Sequence, residues 1–106
     1  MLVPVLATVA GFGPAQATEY TAEQAIARAK SRIADNAAGH RQYCTNKADD
    51  TQNPSASHDA YVAQCEAYGA KTEARRSCRG DAIDNGLADA ARAAFTNACM
   101  TGAGTP

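Results

Sequence analysis

The chain has 106 residues, room for one domain, and its 10 Lys plus Arg against 11 Asp plus Glu leave a net charge of −1. That balance excludes the basic surplus that a nucleic-acid binder or polybasic membrane binder needs, and no run reaches the ~18 apolar residues of a spanning helix. The apolar fraction is 45%, but 26 of those residues are Ala and Trp is absent, so the core it predicts is thin.

Met1 to Ala17 reads MLVPVLATVAGFGPAQA and carries no charge. Its apolar stretch from Leu2 to Ala10 and its Ala15-Gln16-Ala17 exit match a secretory leader, although the basic n-region is missing. Pro4, Gly11, Gly13 and Pro14 fit a buried helix poorly. Residues 1–17 are therefore expected to be a signal peptide, and 18–106 one small helical domain.

Thr21 and Gln24 form a capping box that opens a helix burying Ile26, Ala29 and Ile33. Asn36 and Gly39 predict a break before a shorter helix carrying Tyr43 and Cys44. The segment DDTQNPSA, residues 49–56, reads as a polar turn around Pro54. Ser57 caps a helix from His58 to Ala70, with Tyr61, Cys65 and Tyr68 on one face. Gly69 and Lys71-Thr72 end it, and Thr72 caps the next helix, where Ala74, Cys78 and Ala82 recur at i, i+4, i+8. Asn85-Gly86 supplies a stop with a residue suited to positive φ. A last helix, about Ala88 to Met100, places Ala91, Phe95 and Cys99 on one face, and the tail from Thr101 to Pro106 is expected to fray. The fold expectation is all-α, four to five short helices arranged as disulfide-stapled helical hairpins.

After residue 17 the large aliphatic and Phe residues are Ile26, Ile33, Val62, Ile83, Leu87 and Phe95, too few for a self-sufficient core. Cys44, Cys65, Cys78 and Cys99 are an even set behind an export signal, which favours disulfides. No CxxC and no Cys-His ligand spacing is present, so neither a metal nor a cofactor is expected. The Cys form two C-x20-C units offset by 34 residues. The same offset places Arg41 on Arg75, Ala48 on Ala82, Asp50 on Asp84 and Tyr61 on Phe95. Two repeats, about 41–65 and 75–99, follow from that register. They favour Cys44–Cys65 and Cys78–Cys99. Cys65–Cys78 is also symmetric about the Gly69–Thr72 turn, so a nested pairing with Cys44–Cys99 stays open. Each bond within a unit closes a loop of about 22 residues, worth roughly 3 kcal/mol on the chain-entropy model.

The repeat resembles the phosphate-starvation-inducible PsiF-type family of small exported bacterial proteins. The second copy matches that pattern at Cys78, Ala82, Leu87, Arg92, Phe95 and Cys99. The first matches at Cys44, Ala48, Tyr61 and Cys65, with Asn53 and His58 at the family's Leu and Arg positions. The family's Gly-Asp before the Arg and its Gln-rich lead-in are missing. The resemblance covers about residues 41–99. It implies an exported helical protein and supplies no catalytic residues.

Two clusters are candidate sites. His58-Asp59, with Tyr61 and Cys65 following, is faintly similar to the His-Asp pair of secreted phospholipases A2, where the His acts as general base and the Asp helps hold Ca²⁺. The Tyr lies three residues after the His rather than four, and TNKADD replaces the Gly-rich calcium loop. The plain alternative is a helix start with Asp59 complementing the dipole. Lys71, Arg75 and Arg79 recur at i, i+4, i+8 with Arg76 beside them, a candidate anion-binding face or a solvated one balanced by Glu73, Asp81 and Asp84. Tyr61, paired with Phe95 in the repeat, is expected in the core. The functional expectation is a non-enzymatic binding or envelope-stress module, exported to the periplasm or outside the cell, with an unknown protein or small anionic ligand as partner. The alternatives are a small phospholipase A2-like hydrolase and a secreted inhibitor or effector presenting a helix face.

Overall fold

The computed structural model describes residues 19–51 and 55–106, with backbone alone at 55 and 56. The expected leader lies outside the described residues, as do residues 52–54 of the expected turn, whose flanks at 49–50 and 55–56 are helical. Three α-helices follow one another: α1 (Ala22–Asp50), α2 (Ser55–Asp84) and α3 (Asp89–Gly102). The described residues are all-α as expected, but they form three helices rather than four to five. Two of them run 29 and 30 residues, about 45 Å each at 1.5 Å per residue.

Two expected breaks, at Asn36–Gly39 and at Gly69–Thr72, are absorbed inside helices. Asn36 donates its side-chain amide to the Arg32 carbonyl one turn back, at 2.9 Å, so it decorates the helix instead of ending it. Gly39 faces open space. It costs α1 about 1 kcal/mol relative to Ala, which the helix propensity of the surrounding alanines offsets. Gly69 is a packing residue rather than a stop: a Cβ there would lie 2.7 Å from His40 Nδ1. Thr72 does not cap. It sits inside α2, and its buried hydroxyl has no hydrogen-bond partner among the described residues.

True ends carry local signatures. Thr21 and Gln24 form the reciprocal capping box at the start of α1. After α2, the Leu87 N–H donates to the Ala82 carbonyl and the Gly86 N–H to that of Ile83, with Gly86 at φ 79°. This is a Schellman closure with glycine at the left-handed position. The same pattern closes α3, through Thr105 to Met100, Gly104 to Thr101 and Gly104 at φ 86°. The tail expected to fray is therefore capped as far as Thr105.

α1 and α2 run antiparallel, since Arg28 meets Asp81, Arg41 meets Glu66, and Cys44 bonds Cys65. α3 folds back along α2, fixed by Cys78–Cys99. The core lies where all three helices meet: Ala25, Ala29, Ala74, Cys78, Cys99 and Met100, with Ile26, Ile33, Phe95 and Ala103 packed against it. Small residues bring the backbones close. Gly102 has no side chain because Ile26 Cδ1 occupies the space that a Cβ would need. Farther along, α1 and α2 continue as a two-helix arm with Cys44 and Ala48 buried. Ile83 is about half exposed and Tyr68 is 71% exposed, so Tyr68 does not join a core through the face it shares with Tyr61 and Cys65.

The helix boundaries carry the 34-residue offset of the cysteines. Asp50 and Asp84 end α1 and α2, and Ser55 and Asp89 begin α2 and α3. Both cystines have Cα atoms 5.7 Å apart.

Candidate functional site

A polar stripe runs along α2 beside the apolar one. Glu73, Ser77 and Asp81 recur at i, i+4, i+8 and are all buried. Cations from α1 meet the two acids. Arg28 Nε donates to both Asp81 oxygens, at 3.0 and 3.3 Å. Arg32 Nε donates to Glu73 Oε1 at 2.8 Å, and His40 Nε2 lies 3.1 Å from Oε2. The Arg32 guanidinium, with His40 adding to it, holds the Glu73 carboxyl below its ordinary value despite burial. The Asp81 carboxylate raises Arg28 further, and the Tyr20 ring lies 4.4 Å from the Arg28 guanidinium carbon. Asn85 exchanges two hydrogen bonds with the Tyr20 backbone, at 2.7 and 2.9 Å. The two arginines and His40 tie α1 to α2 through these acids. The stripe was readable in principle: two acids eight residues apart on α2 face arginines four apart on α1.

His58 stands at the other end of the molecule, one turn into α2. Its Nε2 lies 2.7 Å from Asp49 Oδ1 on α1, and its Nδ1 lies 3.6 Å from Asp59 Oδ1. Both carboxylates favour the charged imidazole. Asp49 contributes most, and the His58 pKa is raised. The segment replacing a calcium loop, residues 45–50, is helical. Among the described residues no group of three or more His, Cys, Asp or Glu is placed to hold a metal ion.

The basic face of α2 divides. Arg75 and Arg79 line a groove of about 390 Å³ between α2 and α3, together with Asp89, Arg92, Thr96 and Asn97. Arg76 turns to a second groove of about 210 Å³, walled by Tyr43, Tyr68 and the Cys44–Cys65 bond. Lys71 is exposed and lines neither. The structure thus separates four residues that the helical period groups together, and it adds Arg92. That residue lies 13 positions beyond Arg79 on another helix, where no local spacing links it to the stripe.

No family model, curated protein or solved structure matches the chain.

Proposed function

We propose that the chain is an exported, non-enzymatic binding module in which duplicated, disulfide-stapled helical hairpins present a rigid helical surface. The observation that carries the reading is the pair of cystines, each bridging two helices across a turn at the same 34-residue offset as the helix boundaries. A chain whose core is largely alanine and cystine needs those bonds, and they persist in oxidising compartments outside the cytosol. The leader-like residues 1–17 point the same way. The resemblance to the PsiF-type repeats rests on the cysteine, alanine and aromatic spacing, and it is compatible with this reading. The ligand surface falls on the α2–α3 side, where Arg75, Arg79 and Arg92 gather in one groove.

The test is expression of residues 1–106 in a bacterial host, followed by fractionation, amino-terminal sequencing and thiol trapping. The expected product is periplasmic, begins at Thr18 and has no titratable thiol. A cytosolic, uncleaved product would overturn export. Phospholipid hydrolysis lost in His58→Gln would overturn the non-enzymatic part.

A further inference from the structure

We propose that the α2–α3 groove binds a soluble phosphate-class oxyanion of charge −2 or greater, clamped between Arg75 and Arg79 on α2 and Arg92 on α3. The inference rests on the binding-module reading and names its ligand class.

Six of the seven arginines of this chain fall into two sets, with Arg76 on the other groove. Arg28, Arg32 and Arg41 each pair with a carboxylate across the α1–α2 seam. Arg75, Arg79 and Arg92 make no ion pair among the described residues, yet they line one groove from two helices. Arg92 is held in place by its Nε, which donates to the Leu87 carbonyl at 3.1 Å. That bond leaves its terminal nitrogens free to face the groove. Thr96 fixes the same turn by donating its hydroxyl to the Arg92 carbonyl at 2.7 Å. The Cys78–Cys99 bond joins the two helices that wall the groove, and the buried Met100 is part of its lining.

Charge sets the ligand. Three guanidiniums against the single carboxylate of Asp89 leave an excess of two positive charges. Planar guanidinium forks approaching from two sides suit a tetrahedral group with several acceptor oxygens, whereas one fork already satisfies a carboxylate. The groove has room for roughly a dozen waters, more than one phosphate needs, and Asn97 adds an amide donor to its lining. A short oligophosphate meets both the charge and the size. Asp89 opposes it and sets a limit on affinity.

The test titrates inorganic triphosphate into the oxidised protein by calorimetry at low salt, with inorganic phosphate as the smaller probe. Triphosphate is expected to bind in the micromolar to low-millimolar range and more tightly than phosphate, with affinity falling as salt screens the arginines. Arg79→Gln and Arg92→Gln are each expected to weaken binding about tenfold, the loss of one charge-assisted contact. Asp89→Asn should strengthen it severalfold, and Arg76→Gln, on the other groove, should leave it unchanged. Circular dichroism melts confirm that each variant is folded. No heat at millimolar triphosphate, or equal binding by the Arg75→Gln/Arg79→Gln/Arg92→Gln variant, would overturn the proposal. Either result leaves the export reading standing, because that reading is decided by fractionation and thiol trapping.

Discussion

At the residue scale, two positions in α2 act against their usual roles. The Thr72 hydroxyl is buried without a partner among the described residues, so folding removes its water and returns nothing. Thr72→Val keeps the branched shape and removes the unsatisfied group. Urea denaturation should show stability unchanged or raised by up to about 1 kcal/mol, and a loss of that size would mean that the hydroxyl has a partner. Gly69 pulls the other way. Alanine normally adds helix propensity, but a Cβ here would lie 2.7 and 2.9 Å from His40 Nδ1 and Cγ, on a ring held by Glu73. Gly69→Ala is expected to cost about 1–3 kcal/mol through overpacking. In a His40→Ala background the same change should become neutral or stabilising, since the obstacle is gone. Both residues suit a helix boundary by type, because glycine and threonine commonly mark one. What settles the role of Gly69 is His40, 29 positions away on α1, which no local rule brings near. The Thr21–Gln24 box and the Asn85-Gly86 stop are made by neighbours in sequence, and there the reading and the structure agree.

At the element scale, the α1–α2 hairpin is clasped at its turn end by His58 and Asp49, 2.7 Å apart. Asp49 from α1 and Asp59 from α2 are the carboxylates that His58 meets. They raise its pKa above the ordinary 6.5, so the folded hairpin holds the proton more tightly than the unfolded chain does. The contribution is complete below pH 6.5 and is lost as pH rises through the raised value. A proton NMR titration of the two imidazoles should place the His58 midpoint above 6.5. Asp49→Asn should bring it back toward that figure, and hydrogen exchange at the turn end should quicken on the alkaline side. An unmoved midpoint in Asp49→Asn would remove the clasp. His58 is legible as a helix-start residue, but its partner Asp49 sits on α1, whose continuous length the Asn36 and Gly39 signals conceal. With α1 expected to break near Gly39, no continuous helix carried Asp49 to meet it.

At the scale of the whole molecule, stability is concentrated where three helices meet, and the two cystines contribute unequally. Their closed loops are the same length, with a sequence separation of 21 in each, so the chain-entropy effect is about 3 kcal/mol for either. Packing separates them. Cys78 and Cys99 are both buried among Ala25, Ala29, Ala74 and Met100, whereas Cys65 is partly exposed in the two-helix arm. The cysteine spacing favoured this pairing without excluding the nested one, because both are symmetric about a turn. The sequence held no comparable sign that one bond lies in a three-helix core and the other beyond it. That follows from where α3 ends, and α3 is the shortest helix. Replacing Cys78 and Cys99 together by Ala is therefore expected to cost more than replacing Cys44 and Cys65, by an added cavity term on the order of 1–2 kcal/mol. Graded reduction of the native protein should open Cys44–Cys65 first, as the more accessible bond, and leave a species that retains most of its helical signal. Thiol alkylation followed by peptide mapping reads both outcomes. Equal destabilisation by the two double replacements, or first opening of Cys78–Cys99, would place the stabilising centre elsewhere in the hairpin pair.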